Sequence, residues 1–241
     1  MKKPEVFLCL FVMAFALGSC SVKKNLQVEK GNIRVEIRQG EAWVHKFPLF
    51  AGISVKTRPQ MAIWIEDTAG NYVSTLFVSK KVATQGWVFS HGSRRQEALP
   101  YWEHKRGTQY ADGLYLPTKD NPIPDGVTGA TPKAGFSVDL KTDEKRLQKF
   151  VVVAEFNQSA DYNDFYKKTT GIKKSGQSEN VSGQPAVVYK VKVDLQSGVK
   201  VFPLTLVGHS SEDGSDGNLY PDLSHLTTAK DIVWIINVNV Q

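Results

Sequence analysis

The stretch 60-QMAIWIEDTAGNYVSTLFV-78 decides the fold class. Two runs rich in Ile, Val and aromatic residues stand on either side of 67-DTAGN-71, whose Asp, Gly and Asn favour a tight turn. Runs of this composition and length are typical of β-strands. The stretch therefore predicts a β-hairpin, with one strand over 61–67 and the other over 72–78.

The same strand-like patterning extends through most of the chain. The segment 33-IRVEIR-38 alternates apolar and charged residues, which predicts a half-buried strand. Pro203 predicts an edge position or a bulge for its strand, because proline cannot donate a ladder hydrogen bond. We expect 231–240 to be a central strand and 135–140 to pair with 149–157. The predicted strands outside the hairpin are 33–38, 41–47, 135–140, 149–157, 186–195, 199–208 and 231–240.

Helical signals are few and short, over 93–102 up to Pro100, 160–169 and 224–231. From about residue 85 to 132 almost no regular structure is predicted, and a loop of that length is unusual in a compact domain. Strands at short intervals with turn residues between them favour an all-β fold, an antiparallel immunoglobulin-like sandwich. A barrel is the alternative.

Composition and charge limit the kinds of partner that the chain is expected to bind. The chain has 241 residues, 41% of them hydrophobic, and a net charge of +6 carried by dispersed residues. No long basic run is present, so nucleic acid is not an expected partner. The five histidines show no ligand spacing, so no metal site is expected.

The N-terminus carries an export signal. Lys2 and Lys3 precede the apolar run 6-VFLCLFVMAFALG-18, which has the length of a signal-peptide core. The following 17-LGSC-20 resembles a bacterial lipobox, which implies that Cys20 becomes the lipid-bearing first residue of the mature chain. We therefore divide the chain into a signal peptide (1–19), a lipidated tether (20–32) and one β-sandwich domain (33–241).

This signal also predicts the location. Cleavage removes Cys9, so no thiol other than the acylated one remains for a disulfide or a metal. The resemblance implies a lipoprotein of the bacterial envelope, anchored in a lipid bilayer through Cys20. The residue after Cys20 is Ser21 and not Asp, and this resembles the pattern of lipoproteins that are sent to the outer membrane.

One loop sequence is more specific than a turn requires. The segment 124-PDGVTGATPKAG-135 contains D-x-x-T-G-A-T. It resembles the flavinylation motif of FMN-carrying subunits of respiratory complexes. In those proteins a flavin transferase joins the phosphate of FMN to the last Thr. The resemblance implies Thr131 as the attachment residue, with Asp125, Thr128, Gly129 and Ala130 completing the site. Lys133 departs from the motif, which commonly has Ser or Thr there.

A second resemblance covers most of the mature chain. The stretches 60–78, 125–140, 151–166 and 183–195 are similar to an uncharacterised family of predicted periplasmic proteins and lipoproteins. Its members are often encoded near flavin transferases or membrane electron-transfer proteins. The resemblance implies an immunoglobulin-like sandwich and no assigned catalytic residue.

These observations predict a membrane-anchored electron-transfer module outside the cytoplasm, with covalent FMN on Thr131. Its partners would be a flavin transferase and a membrane redox protein, and the chain would not be an independent enzyme. Trp87, Tyr101, Trp102 or Tyr110 would stack on the flavin ring. The alternative is a non-enzymatic binding or scaffold lipoprotein in which 125-DGVTGAT-131 is only a turn.

Overall fold

The computed structural model describes residues 26–27, 31–48, 53–87, 94–123, 126–142, 147–168 and 181–241. Its α-helices are Lys80–Thr84 and Pro100–Lys105, and its 3-10 helices are Glu41–Trp43 and Thr228–Asp231. The strands in chain order are β1 (Leu26–Gln27), β2 (Ile33–Gln39), β3 (His45–Pro48), β4 (Ser54–Thr57), β5 (Gln60–Glu66), β6 (Tyr72–Ser79), β7 (Val127–Gly129), β8 (Phe136–Thr142), β9 (Lys149–Asn157), β10 (Val187–Asp194), β11 (Val201–Pro203), β12 (Thr205–His209) and β13 (Val233–Val240).

The strands form two large sheets and one small one. The five-stranded sheet has the order β1-β8-β2-β13-β11, and the six-stranded sheet has the order β12-β10-β9-β5-β6-β7. Strands β3 and β4 form a separate pair. Every pairing is antiparallel except that of β6 with β7. The predicted all-β sandwich is confirmed, and β13 is central in its sheet as expected.

The main core lies between the two large sheets. Burial alternates along β2, so that Ile33, Val35 and Ile37 point inward as the sequence predicts. Ile63 of β5 and Val152 of β9 belong to the same buried cluster and come from the opposite sheet. The period-two pattern of the five-stranded sheet thus reflects one buried face and one solvated face.

The six-stranded sheet is buried on its outer face as well. All residues of β5 are buried, and along β9 only Lys149 is exposed. Trp64 and Val153 pack into a second apolar cluster that includes Leu99 and Trp102. Two-sided burial explains why β5 and β9 have continuous apolar runs instead of strict alternation.

Much of this covering layer comes from residues 94–123, the covering segment, which lies in the region predicted to be irregular. The region does contain a helix, and the predicted helix over 93–102 is wrong because Pro100 begins it instead of ending one. Proline is well suited to the first helical position, where its missing N–H would have had no partner. Strand β7 is the other regular element between residues 85 and 132 in the described part of the chain.

Three local predictions need correction. The predicted strand over 41–47 begins as the 3-10 helix Glu41–Trp43, and β3 starts only at His45. The predicted helix over 160–169 is not formed in its described part, because Asn163 Oδ1 accepts the N–H groups of Phe165 and Tyr166 in a turn. The helical signal over 224–231 is realised only as the 3-10 helix Thr228–Asp231.

The predicted pairing of 135–140 with 149–157 is wrong. Strand β8 pairs with β2 in one sheet, whereas β9 pairs with β5 and β10 in the other. The chain crosses between sheets at Leu204 also: β11 ends at Pro203 on the edge of the five-stranded sheet, and β12 lies on the edge of the six-stranded sheet. The edge position predicted from Pro203 is confirmed.

Candidate functional site

The motif segment forms the edge of the six-stranded sheet and then leaves it. Val127 pairs with Phe77, Thr128 with Val78 and Gly129 with Ser79, in parallel register. The outer edge of β7 has no strand partner among the described residues. Asp125 lies outside the described residues, and so does Cys20.

The small residues of the motif fit the space beside β6. A Cβ added to Gly129 would stand 3.3 Å from Cε2 of the Phe77 ring, which is closer than ordinary contact. The next residue, Ala130, is exposed. Thr128 is exposed as well. The motif therefore lies close to the sheet while most of its side chains face solvent.

The Thr131 hydroxyl is half-buried and takes part in an ordered chain of hydrogen bonds. Thr131 Oγ1 donates to the Pro59 carbonyl at 2.8 Å and lies 3.1 Å from Ser79 Oγ. Ser79 Oγ accepts the backbone N–H of Met61 at 3.0 Å. Because the one proton of Thr131 is directed at Pro59, the proton of Ser79 must point at Thr131 Oγ1.

The residue after Thr131 is fixed by another contact. Trp43 Nε1 donates to the carbonyl oxygen of Pro132 at 3.3 Å, and the Trp43 side chain is buried. Pro132 in turn restricts Thr131 to extended backbone conformations. The segment therefore passes from one sheet to the other between two fixed points, Ser79 and Trp43.

A phosphoester on Thr131 would change this set of hydrogen bonds. An ester oxygen carries no proton, so esterification would remove the bond to the Pro59 carbonyl but would leave Ser79 able to donate. Thr131 as a residue is half-buried, and its neighbours Ala130 and Lys133 are exposed. The change would remove the Thr131 donor from the carbonyl of the buried Pro59, and a buried acceptor that loses its partner costs about 1–3 kcal/mol.

The four aromatic residues expected to stack on a flavin make contacts within the protein. Tyr101 and Trp102 are buried in the cluster on the outer face of the sheet, so neither can stack on a ring held at Thr131. The Trp87 ring is covered by the Arg95 guanidinium, 4.4 Å from its centroid. Tyr110 receives a hydrogen bond from Arg106. The expectation is wrong for Tyr101 and Trp102, which are buried, and it stays a prediction for the half-buried Trp87 and Tyr110.

A pair of buried carboxyl groups was missed by the sequence reasoning. Glu155 in β9 accepts the backbone N–H groups of Tyr101 and Trp102, at 3.2 and 2.8 Å. Burial raises its pKa to about 8, although these two N–H groups act in the opposite direction. Burial also raises the pKa of Glu103, and the neighbouring Glu155 adds to the shift. A lone Glu within 149-KFVVVAEFN-157 was the sequence signal.

Glu155 has a structural role in this arrangement. It fixes the start of the helix Pro100–Lys105 against the sheet by accepting N–H groups that the helix leaves unpaired. No cluster of three His, Cys, Asp or Glu side chains suited to a metal occurs in the described part of the chain. Among the described residues, no helix is both long and apolar enough to cross a membrane.

Comparison with known proteins gives one match. Residues 53–155 match a family described as predicted periplasmic protein (DUF2271). The matched range includes the β5–β6 hairpin, the covering segment, the motif and most of β9. No curated protein and no solved structure matches the chain. The match supports a periplasmic location and assigns no activity.

Proposed function

We propose that this chain, which shares residues 53–155 with a family of predicted periplasmic proteins, carries FMN covalently on Thr131 and acts in electron transfer in the cell envelope. The observation that supports the proposal is the environment of Thr131 Oγ1. Thr131 is a half-buried residue that ends a D-x-x-T-G-A-T motif, next to a sheet edge with small residues, with Ser79 Oγ 3.1 Å from its hydroxyl oxygen.

Attachment is a group transfer that needs FAD and a second protein, a flavin transferase. Thr131 Oγ1 forms a bond to the phosphorus of the FMN half of FAD, and the bond from that phosphorus to the AMP oxygen breaks. AMP leaves, and the hydroxyl proton passes to a base on the transferase. No electron is transferred in this step.

In this reaction the chain itself positions the acceptor hydroxyl of Thr131. Thr131 must give up its bond to the Pro59 carbonyl, so the segment has to move slightly for the hydroxyl to enter another protein's active site. Ser79 remains as a donor that orients the ester oxygen and holds the segment against β6. When bound, the flavin supplies reversible electron transfer, and the protein sets its position and surroundings.

The proposal includes the lipid anchor at Cys20, with Ser21 directing the protein to the outer membrane. A carrier held at a membrane exchanges electrons with membrane redox proteins at high local concentration. The flavin transferase acts in the same compartment. The export signal and the match to a family of predicted periplasmic proteins support a location outside the cytoplasm.

A binding or scaffold lipoprotein is the second candidate, and one observation favours it. The hydroxyl of Thr131 already serves the fold, since it donates its proton to the Pro59 carbonyl and contacts Ser79 Oγ. A turn that only closes the edge of the sandwich would have the same contacts. The two functions are separated by whether Thr131 becomes modified.

The test is co-expression of the mature domain with an extracytoplasmic flavin transferase. We expect a fluorescent band on a denaturing gel and, by mass spectrometry, one FMN less water on the peptide that contains Thr131. Thr131→Ala should abolish the adduct, and Thr131→Ser, which keeps a hydroxyl, should restore it. Absence of the adduct, under conditions that modify a known acceptor, would support the scaffold function instead.

A further inference from the structure

Arg58 is a half-buried cation whose guanidinium has no partner in the described part of the chain. Its Nε is shielded from solvent and has no hydrogen-bond acceptor. A buried donor without an acceptor is costly, and native proteins rarely keep one without a reason. The other described arginines each donate to a carboxylate or a hydroxyl: Arg34 to Asp139, Arg38 to Glu36, Arg94 to Asp112, Arg95 to Glu97 and Arg106 to Tyr110.

Arg58 is a neighbour of the Thr131 hydroxyl. It directly precedes Pro59, whose carbonyl oxygen accepts the proton of Thr131 Oγ1 at 2.8 Å. Standard backbone dimensions therefore place the Cα of Arg58 within about 9 Å of Thr131 Oγ1. An arginine side chain together with a phosphate group can bridge a distance of this size, so Arg58 is within reach of a phosphate on Thr131.

The sequence around the contacts of Thr131 carries positive charge. Lys133 lies two residues after Thr131 and is exposed. Lys80, also exposed, directly follows Ser79, whose hydroxyl oxygen is 3.1 Å from Thr131 Oγ1. No Asp or Glu occurs within two residues of Thr131, Pro59 or Ser79 in the sequence. A negatively charged group on Thr131 would therefore be attracted by its surroundings.

We propose that Arg58 binds the phosphate group through which a flavin nucleotide is attached to Thr131, with Lys133 as a weaker second cation. The proposal rests on the function proposed above. A phosphodiester keeps two unesterified oxygens that share a negative charge, and a planar guanidinium donates to such oxygens in pairs of hydrogen bonds. Lysine supplies a point charge without that geometry, so the exposed Lys133 contributes less.

The contact compensates for a bond that attachment removes. Esterification takes the Thr131 donor away from the carbonyl of the buried Pro59 and brings phosphate oxygens within reach of the unpartnered Arg58 Nε–H. Hydrogen bonds between charged groups are stronger than those between neutral groups. Arg58 therefore offsets the lost bond and holds the modified residue at the end of the sheet.

The first test measures the rate of attachment. Purified unmodified protein is mixed with FAD and an extracytoplasmic flavin transferase, and the FMN mass on the Thr131 peptide is followed with time. We expect Arg58→Gln to slow attachment about tenfold to a hundredfold, because it removes a charged donor. Arg58→Lys should restore part of the rate, and Lys133→Gln should slow attachment less than Arg58→Gln does.

Lys81→Gln is the matched control for charge. Lys81 follows Lys80 in the same helix, but burial and then the nearby Arg95 lower the pKa of Lys81, so its ammonium group lies towards Arg95. Arg95 belongs to the covering segment, where it donates to Glu97. The variant removes one positive charge close to Ser79 in the chain and should leave the rate of attachment unchanged.

The second test follows Arg58 itself. Its Nε–H has no acceptor in the unmodified protein, so attachment of FMN should move its proton resonance downfield in a nitrogen–proton NMR correlation spectrum. The resonance is assigned by its loss in Arg58→Gln. A role of Arg58 in folding alone would leave the resonance where it is.

Thermal unfolding gives an independent measure. The Arg58 guanidinium has no hydrogen bond to lose in the unmodified protein, so Arg58→Gln should leave the unfolding temperature nearly unchanged there. In the flavinylated protein the same replacement should lower it, because the phosphate loses its partner. If Arg58→Gln does not fold, Arg58→Lys serves for this comparison.

The outcomes separate the two proposals. Full attachment of FMN at the wild-type rate in Arg58→Gln, with an unshifted Arg58 resonance in the wild type, would overturn the role of Arg58 and leave the carrier function intact. Slower attachment with an unshifted resonance would mean that Arg58 contacts the transferase, and would also overturn the phosphate contact. Equal slowing by Lys81→Gln would assign the effect to overall charge and overturn it too. Absence of the FMN mass on the wild-type Thr131 peptide would overturn the carrier function and this proposal together.

Discussion

Ser79 Oγ lies 3.1 Å from Thr131 Oγ1, although 52 residues separate them in the chain. The contact joins the end of β6 to the residue proposed to carry the flavin. It is part of a hydrogen-bond network that runs from the Met61 N–H through the Ser79 and Thr131 hydroxyls to the Pro59 carbonyl. Through this network the β5–β6 hairpin holds Thr131, the proposed modification site, in position.

Replacing Ser79 by Ala should destabilise the protein. The variant leaves the buried Met61 N–H without its acceptor, and an unpaired buried donor costs about 1–3 kcal/mol. The free energy of unfolding, measured with urea, should fall by that amount. Ser74→Ala is the matched control on the same strand, since among the described residues Ser74 Oγ makes a single long contact, 3.4 Å to the Thr75 carbonyl. Equal stability of Ser79→Ala and wild type would show that the hydrogen bond from the Met61 N–H to Ser79 does not stabilise the fold.

Enlarging Gly129 should displace β7 from β6. Gly129→Ala places a methyl group 3.3 Å from the Phe77 ring, which can move slightly, so we expect a small loss of stability. Gly129→Val adds branches that cannot fit, and overpacking of this kind costs roughly 1–3 kcal/mol. Urea unfolding should show a larger loss of stability for Gly129→Val than for Gly129→Ala. A valine variant as stable as the alanine variant would show that β7 does not lie against Phe77.

Trp43→Phe should release the segment after Thr131. The variant keeps an aromatic ring in the core beside Phe156 but removes the hydrogen bond to the Pro132 carbonyl. Trypsin should then cleave after the exposed Lys133 faster than in the wild type. Cleavage after Lys119, which is exposed on the covering segment, is the internal control and should keep its rate. Unchanged cleavage at both lysines would show that Trp43 does not restrain the segment.

Stability should fall as the pH rises from about 5 to about 8. Burial raises the pKa of Glu155 to about 8 from an ordinary value of 4.5, so the folded protein keeps a proton that the unfolded chain releases. The stabilisation is complete below pH 4.5 and is lost progressively up to the folded pKa. One such proton changes the free energy of unfolding by up to about 1.4 kcal/mol per pH unit.

Glu155→Gln tests this origin, because an amide cannot release the proton. We expect the variant to flatten the pH dependence measured by urea unfolding between pH 5 and 8. Glu103, whose pKa is raised in the same direction by burial, should account for the slope that remains. The double variant Glu103→Gln/Glu155→Gln should then show little slope, and a slope equal to that of the wild type would contradict the assignment.

Local signals explain what could be read in advance. The turn residues at Asp67 and Asn71 place the hairpin, since Asp67 side-chain oxygens accept the N–H groups that close it. The alternation along β2 identifies its inward face. Such features depend on residues within a few positions of each other, and the sequence therefore displays them directly.

Other features depend on distant parts of the chain. Glu155 is tolerated within β9 only because the covering segment brings the N–H groups of Tyr101 and Trp102 to it. The pairing of β8 with β2 instead of β9 depends on a crossover between sheets, for which short apolar strands carry no local mark. The exposure of Trp234 arises from a bulge that only the register of β13 with β2 defines.

The all-β class, most strand positions and the motif that ends at Thr131 can be read from the sequence, because alternation, turn chemistry and a short motif are local properties. The contacts of Thr131 and the exposure of each tryptophan depend on tertiary packing. Ser79, Pro59 and Trp43 reach the Thr131 segment from far along the chain, and strand pairing alone turns Trp234 to solvent while it buries Trp102. Burial is a property of the packed sheets, so residue type could not distinguish these two indoles.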